Sequence, residues 1–378
     1  METKGNFGIV VSGGPAPGIN SLLASVVIEA QNLGYGVRGF KNGFKDVATG
    51  KADAVISLTI PDVVPHMSTG GSILGTSRFN PMGSEVHKEN IFRTLRSNSI
   101  DKLVVIGGEG SAYLSHLISS TQSEVKVAHL PKTIDNDLEL PNNFPSFGFE
   151  TARAVGTRIL HTIAVDARTT GRWFIITSMG RKSGALALGL GLAADATITL
   201  IPEEFEQNVA VESVVEKIYA SIAKRLKTLD KNFGVALLAE GIIDKLDSSG
   251  VEELRDCPRD EIGRLRYAEI ELSEIIATRL RKRCRANGLE IMISSKNLGY
   301  ELRCHPPFSF DIEYTKFLGH GAVKYLLAGL SGIMVVREYD NLGYVTLDSM
   351  LDAQGKIRSR TVNLDSDLYQ VARSFMIR

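Results

Sequence analysis

The sequence has few cysteines, prolines and aromatic residues. Its 378 residues include three cysteines, 12 prolines and one tryptophan, and aromatic residues make up 7%. Cys257, Cys284 and Cys304 have no metal-type spacing and cannot all pair, which excludes a disulfide-stapled scaffold and predicts unpaired thiols. No apolar stretch approaches the roughly 20 residues that a membrane helix needs. The first residues also lack a signal-peptide pattern, so we expect a cytoplasmic protein without a membrane partner.

The sequence also lacks an excess of either charge. It has 43 Lys and Arg residues against 43 Asp and Glu residues, a formal net charge of zero. No overall electrostatic field would attract a polyanion, so we expect no nucleic-acid partner, although a local basic pocket for phosphate remains compatible with this balance. The length and the 43% hydrophobic content are those of an ordinary globular protein with two or three domains.

Short apolar segments alternate with glycine-rich turns and amphipathic helical patterns. The predicted strands are Phe7–Ser12, Lys102–Gly108, Val125–Leu130, Trp173–Met179, Ala196–Ile201, Phe233–Glu240 and Ile291–Ser295. A helix is predicted to begin near Ile19, and longer ones cover residues 209–231, 267–285 and 312–330. This alternation predicts parallel sheets, whose ligands bind beyond the carboxyl ends of the strands. The polar segment 244–259 is predicted to be a surface connection.

Two glycine-rich turns follow predicted strands. In GGPAPG (residues 13–18) the glycines would let backbone N–H groups approach an anion at a helix N-terminus. Its spacing is neither GxGxxG nor GxxxxGK[ST], so a tight turn without a ligand is the alternative. In GGEGS (residues 107–111) the Glu109 carboxylate could hold Mg²⁺ beside phosphate oxygens, and Ser111 could cap the next helix at the same time.

The segment PKTIDND (residues 131–137) carries the strongest chemical signal. Asp135 and Asp137 could divide two tasks: one would take a proton from an attacking hydroxyl, and the other would serve a metal or orient its neighbour. Lys132 would offset charge on a transferring phosphoryl group. An Asx turn accounts for any one of these residues but not for the whole set.

Eight segments in order resemble the signature of the phosphofructokinase family: GGPAPGIN, GGSILGTSR, GGEGS, PKTIDND, SFGFETA, MGRKSG, IPEEF and LGYELR. The resemblance implies an α/β protein of two Rossmann-like, three-layer domains with mostly parallel sheets and the active site in the cleft between them. One domain would bind the phosphoryl donor and would comprise residues 1–147 plus about 305–352. The other would bind the sugar phosphate and would comprise residues 148–304 plus about 353–378. It also implies a homo-oligomer, a dimer or tetramer, with the sugar site completed across subunits.

The resemblance further implies Mg²⁺-dependent phosphoryl transfer to the 1-hydroxyl of fructose 6-phosphate, giving fructose 1,6-bisphosphate. Asp135 would be the general base, with Thr133, Asp137 and Lys132 as further catalytic residues, and Glu109 would bind Mg²⁺. The donor would meet Gly13, Arg78, Gly108, Gly110 and Ser111. The sugar phosphate would meet Thr133, Asp135, Arg172, Met179, Gly180, Arg181, Glu203, Tyr300 and Arg303. Arg172 is assigned by spacing alone, from a family arginine that reaches a neighbouring subunit's sugar phosphate, and a surface salt bridge is its alternative.

Features of the sequence conflict over the donor, which in this family is ATP or pyrophosphate. Pyrophosphate users usually carry Asp after the metal carboxylate, where it repels a nucleotide's α-phosphate, whereas this chain has Gly110. Lys132 is typical of pyrophosphate users but also occurs in some ATP users. Glu109 stands where Asp is commoner in the family. Tyr300 and Glu301 stand where many ATP enzymes carry a His-Gln-Arg-Gly sequence, which favours the pyrophosphate-type arrangement of the sugar pocket. Because Gly110 acts directly on a nucleotide, we expect ATP, with pyrophosphate as the alternative.

Three other functions compete with this hypothesis. A non-catalytic regulatory subunit is disfavoured because it has no chemical need for Asp135, Asp137, Arg181 and Glu203. A nicotinamide dehydrogenase is disfavoured because its GxGxxG signature is missing. A phosphotransferase for another sugar phosphate, such as sedoheptulose 7-phosphate, would be compatible with the same residues.

Overall fold

The computed structural model describes residues 4–121, 123–247, 254 and 266–378. The chain forms two compact units. Unit 1 comprises Met1–Ile134, Leu138–Ala152 and Arg303–Ser359, and unit 2 comprises Asp135–Asp137, Arg153–Leu302 and Arg360–Arg378. Cys257 and most of the predicted surface connection 244–259 lie outside the described residues. Cys284 and Cys304 are free thiols, as predicted.

Unit 1 contains a seven-stranded sheet with the order β11-β10-β5-β4-β1-β2-β3. Its strands are β1 (Asn6–Val11), β2 (Gly36–Phe40), β3 (Val55–Ser57), β4 (Ile100–Gly107), β5 (Lys126–Pro131), β10 (Ile333–Glu338) and β11 (Asn341–Thr346). The five central strands pair in parallel, and the two edge strands β3 and β11 pair antiparallel to their neighbours.

The described residues form helices α1 (Ile19–Asn32), α2 (Lys45–Ala48), α3 (Ile60–Val63), α4 (Glu85–Ser97), α5 (Glu109–Thr121), α6 (Phe149–Thr170), α7 (Ala185–Ala193), α8 (Val211–Leu229), α9 (Leu272–Ala286), α10 (Tyr300–Arg303), α11 (Ser309–Leu327) and α12 (Asp367–Ser374).

Helices cover both faces of the sheet in unit 1. Ile9 of β1 belongs to a core with α1 and α11, whereas its neighbour Val10 belongs to a second core with α4 and α5. Successive strand residues face opposite sides of a sheet, so unit 1 has three layers.

Unit 2 contains a four-stranded, fully parallel sheet with the order β7-β8-β6-β9. Its strands are β6 (Arg172–Ser178), β7 (Ile198–Leu200), β8 (Gly234–Ala239) and β9 (Met292–Leu298). Ile175 packs in a core with α8 and α9, while the adjacent Ile176, on the other face, is equally buried. Helix α7 contacts β7 and β8. The predicted α/β class with mostly parallel sheets is therefore confirmed.

The predicted elements are present, with some differences at their ends. Helix α9 begins at Leu272 instead of Tyr267 because Tyr267–Glu269 forms a separate 3-10 turn. Strand β7 keeps only the middle of its predicted range. Strands β2, β3, β10 and β11 were not predicted, and all four lie at or next to an edge of the sheet. None of the helices in the described ranges is both long and apolar enough to cross a bilayer.

Candidate active site

The first glycine loop joins β1 to α1. Gly13 has a φ of 89°, in the left-handed region that glycine adopts readily. Its N–H donates to the Ser77 carbonyl at 2.8 Å, and its own carbonyl accepts from Thr76 Oγ1 at 2.7 Å. These bonds hold the segment that leads to Arg78 against the loop.

Three basic side chains gather at this loop. The Lys132 side chain is 3% exposed, and its ammonium donates to the Gly14 carbonyl. A Cβ atom added to Gly14 would collide with the Arg303 guanidinium and would lie 3.5 Å from Nη2 of Arg78. Arg78, Lys132 and Arg303 are therefore grouped around Gly14, and we call them the cation cluster. Such a group of cations beside backbone N–H groups is chemically suited to phosphate.

The second glycine loop joins β4 to α5. A Cβ atom on Gly107 would overlap the Ser111 side chain, so the turn requires glycine there. The N–H of Ser111 donates to the Gly108 carbonyl at 3.0 Å. Helix α5 begins at Glu109, so Ser111 lies inside its first turn and is not the N-cap residue that the sequence suggested. A Cβ atom on Gly13 would lie 3.9 Å from Ser111 Oγ, which shows that the two loops are adjacent.

Two residues of the second loop are accessible to solvent. The Glu109 side chain is partly exposed, and it makes no hydrogen bond or ion pair within the described part of the chain. Gly110 is exposed, and a Cβ atom added there would meet no atom within 4 Å. Both positions are therefore open to a ligand, and the fold itself does not require glycine at residue 110.

The segment that carries the two aspartates is held through its backbone. In unit 1, Ser146 Oγ donates to the Thr133 carbonyl at 2.8 Å. The chain enters unit 2 at Asp135, where the N–H of Arg360 donates to the Asp137 carbonyl at 2.8 Å. The guanidinium of Arg360 donates through Nε to the Asn136 carbonyl at 3.1 Å. Asp135 is half-buried and Asp137 is buried.

In unit 2, the MGR loop (Met179–Arg181) follows β6. The N–H groups of Gly180 and Arg181 donate to Glu240 Oε1 at 3.2 and 2.8 Å. A Cβ atom on Gly299 would lie 2.5 Å from the Met179 side chain, so the glycine before Tyr300 packs under Met179. The structure thus brings Met179, Gly180 and Arg181 together with the residues around Tyr300.

Glu240 is a functional candidate that the sequence analysis missed. It is 5% exposed and fixes the backbone of the MGR loop. The signal was an acidic residue directly after a fully buried apolar strand and directly before Gly241.

Two predicted sugar-site residues have other contacts. Glu203 Oε1 accepts from the N–H groups of Gly184 and Val362 at 3.0 and 2.9 Å, so part of this carboxylate holds the backbone together. Arg172 begins β6, at the opposite end of the strand from Met179, and its Nε donates to Thr170 Oγ1 at 2.7 Å. The structure therefore does not bring Arg172 together with the MGR loop of its own chain.

Comparisons with known proteins identify the family. The family model described as phosphofructokinase matches residues 6–326. The chain belongs to the phosphofructokinase family. A pyrophosphate–fructose 6-phosphate 1-phosphotransferase of Thermotoga maritima is 45% identical, over 98% of this chain and 90% of the relative. A pyrophosphate–fructose 6-phosphate 1-phosphotransferase of Naegleria fowleri is 40% identical, over 98% of this chain and 88% of the relative. An ATP-dependent 6-phosphofructokinase of Mycobacterium leprae is 30% identical, over 90% of this chain and 93% of the relative.

Solved phosphofructokinase structures share the fold. A pyrophosphate-dependent phosphofructokinase from Nitrosospira multiformis matches with a TM-score of 0.74 at 17% identity, over 100% of this chain and 92% of that one. Phosphofructokinase from Saccharomyces cerevisiae matches with a TM-score of 0.71 at 21% identity, over 91% of this chain but only 45% of that one. The two-sheet α/β architecture is therefore that of the phosphofructokinase family.

Proposed function

We propose that this phosphofructokinase-family protein transfers a phosphoryl group to the 1-hydroxyl of fructose 6-phosphate, giving fructose 1,6-bisphosphate. The observation that carries the proposal is the cation cluster around Gly14, with Asp135 only three residues beyond Lys132 along the chain. The names of the 45% and 40% identical relatives support the same acceptor.

The proposed chemistry follows from these positions. Asp135 takes the proton of the 1-hydroxyl while that oxygen forms a bond to phosphorus and the bond from phosphorus to the leaving group breaks. Lys132 and Arg78 of the cation cluster stabilise the charge on the transferring group, while Arg303 of the same cluster binds the sugar phosphate. Asp137 and Thr133 support Asp135, and the MGR loop with Glu203 and Tyr300 holds the sugar phosphate.

The residues present fit a Mg²⁺ ion held jointly by the protein and its substrate. Mg²⁺ is commonly bound by one or two carboxylates together with substrate phosphates. Glu109 supplies one such carboxylate, free of hydrogen bonds to any described residue. The described residues contain no group of three or more His, Cys, Asp or Glu side chains that could hold a metal ion. The ion would neutralise phosphate charge.

We favour ATP as the donor because of Gly110. The open space around this residue means that the fold does not select glycine, which is an unfavourable residue in a helix. A residue without bulk or charge at this position leaves room for a nucleotide's α-phosphate. No comparison confirms this preference.

Pyrophosphate is the second candidate donor, and two other observations favour it. The 45% and 40% identical relatives both carry pyrophosphate in their names. The buried Lys132 ammonium lies at the first glycine loop, where it can compensate the charge of a short donor. Sequence identity over the whole chain reflects the shared scaffold of these proteins, whereas the size and charge of residue 110 affect only whether a nucleotide fits.

The test is turnover of fructose 6-phosphate with Mg²⁺ and either ATP or pyrophosphate. We expect turnover in the wild type and a loss of about 100-fold or more in kcat for Asp135→Asn, because general bases contribute about 10² to 10⁴. Asp340→Asn is the matched control, since Asp340 is fully exposed. Equal turnover in Asp135→Asn and the control would exclude Asp135 as the base. Turnover of another sugar phosphate alone would exclude the proposed acceptor.

A further inference from the structure

His129 lies in the middle of β5 and is completely buried. Its ring contacts the first residue of the second glycine loop and a residue in the second turn of α5. Nε2 lies 2.9 Å from the Gly107 carbonyl, where β4 ends. Nδ1 lies 3.0 Å from Ser115 Oγ, and that hydroxyl is also 2.9 Å from the Ser111 carbonyl. The imidazole therefore spans from Gly107, the first residue of the loop, to the second turn of α5.

The surroundings determine the protonation of this ring. A carbonyl oxygen can only accept, so Nε2 carries the proton that is shared with Gly107. Burial lowers the pKa of His129 to about 3, with a further lowering from the Lys132 charge, although the bond to Gly107 opposes both. The ring is thus neutral near pH 7 and its Nδ1 can only accept, so the single proton of the Ser115 hydroxyl is shared between Nδ1 and the Ser111 carbonyl.

The same Gly107 carbonyl also connects the ring to the cation cluster. It accepts from the backbone N–H of Lys132 at 2.8 Å as well as from His129. The neighbours of His129 on the strand, Ala128 and Leu130, are completely buried and apolar. An apolar side chain would avoid the cost of burying an imidazole, so the two polar contacts are what a histidine adds at this position.

We infer that His129 is a positioning residue for the phosphoryl donor, acting through the Gly107–Ser111 loop. This inference rests on the proposed function, because it assumes that the donor binds at that loop. The ring is completely buried and acts through the loop. It holds the start of the loop at the Gly107 carbonyl and the second turn of α5 at Ser115, and so supports the position of Glu109, Gly110 and the loop N–H groups between these two contacts.

The test compares variants that keep different parts of the ring. His129→Leu removes both contacts, His129→Gln retains a donor for Gly107, and His129→Asn retains an acceptor for Ser115. Ser115→Ala removes only the second contact. We expect His129→Leu to raise the KM for the donor and the Mg²⁺ concentration for half-maximal rate by about tenfold, the usual effect of losing a partner that orients a ligand-holding group. The KM for fructose 6-phosphate should stay within about twofold of the wild-type value.

Partial recovery of the donor KM in the polar variants distinguishes a residue that positions the loop from one that only fills space in the core. His129→Gln should recover most of the donor KM if the Gly107 contact is decisive, and Ser115→Ala should have an intermediate effect. His161→Leu, an exposed histidine on α6, is the control. Equal changes in the KM values for donor and sugar, or identical donor KM values in all variants, would overturn the inference. If His129→Leu does not fold, the Gln, Asn and Ser115→Ala variants still decide between these outcomes.

Calorimetric titration separates failure of this inference from failure of the proposed function. Binding of Mg²⁺-ATP and Mg²⁺-pyrophosphate is measured without fructose 6-phosphate. Tenfold weaker donor binding in His129→Leu supports the inference even if the wild type does not phosphorylate this sugar. Unchanged donor binding in the variant contradicts it even if the wild type is active. A wild type that binds neither donor also contradicts it.

Discussion

Gly110 has no neighbour around the position of its missing side chain, which makes it a clean site for testing the donor. Gly110→Asp should fold normally and lower kcat/KM for ATP by about 100-fold, since a like charge beside a phosphate costs several kcal/mol. Steady-state kinetics with both donors provides the measurement. Gly110→Ala, which adds a methyl group into the same open space, should retain ATP use. Full ATP activity in the Asp variant would refute the preference for ATP.

His129 predicts a specific acid lability. Its pKa is about 3 in the folded protein against an ordinary value of 6.5, so between these pH values only the unfolded chain binds the proton. Stability must therefore fall as the pH drops below about 6.5, by up to about 1.4 kcal/mol per pH unit for one proton. Urea unfolding at pH 7, 6 and 5 should show a shallower decline for His129→Gln than for the wild type. Parallel curves would mean that the native ring titrates normally.

At the scale of elements, helices α6 and α11 cap each other. The Asp311 carboxylate, at the start of α11, accepts from the N–H groups of Gly148 and Thr151 at 2.7 and 2.8 Å and from Thr151 Oγ1 at 2.6 Å. In return, Thr151 Oγ1 accepts from the N–H of Phe308, the N-cap of α11, at 3.0 Å. Asp311 is completely buried, so no water replaces a lost partner.

This mutual capping makes Asp311 a stability determinant. Asp311→Ala leaves buried N–H groups without acceptors and should lower the free energy of unfolding by about 3 kcal/mol. Asp311→Asn keeps one oxygen and should lose about half as much. Chemical denaturation measures both values. A loss below about 1 kcal/mol in the Ala variant would show that the caps are replaced by other contacts.

The element scale also shows which parts of the fold a sequence pattern can reveal. Strands β1 and β8 are buried over their whole length, and β4 is buried from Leu103 to Gly107; these stretches are mostly apolar in sequence, so their prediction succeeded. Strand β2 (GVRGF) carries two glycines and an arginine, and the edge strand β11 (NLGYVT) is half-exposed, so neither shows an apolar pattern. They form strands because neighbouring strands supply hydrogen-bond partners, a tertiary cause that local propensity does not report.

At the scale of the whole molecule, Arg172 bears on assembly. It lies at the far end of β6 from the MGR loop, so a role at the sugar phosphate requires a second copy of the chain. We predict that Arg172→Ala raises the KM for fructose 6-phosphate and that Asp135→Asn lowers kcat by about 100-fold or more. Dissociating and reassociating an equal mixture of the two variants should then restore activity in about one quarter of sites, because half of the dimers are mixed and each has one intact site.

The mixing experiment has its own control. Each variant carried separately through the same dissociation should stay at its starting activity. Sedimentation velocity reports whether mixed oligomers form. Mixed oligomers without recovered activity would assign Arg172 to a surface salt bridge and leave the sugar site complete within one chain.

The sequence by itself determined the α/β class, most of the buried parallel strands with the turns that follow them, and the family, because these strands and their glycine-rich ends are visible as local patterns. Asp135, Glu109 and Gly110 could be named for the same reason, since each lies in a short motif. Only the tertiary structure decided that Arg303 lies with Arg78 and Lys132 at Gly14, that Glu240 holds the MGR loop, and that His129 supports the second glycine loop. These contacts join residues that are far apart in the chain. They form because buried polar groups in the folded core need hydrogen-bond partners, which a local sequence pattern does not show.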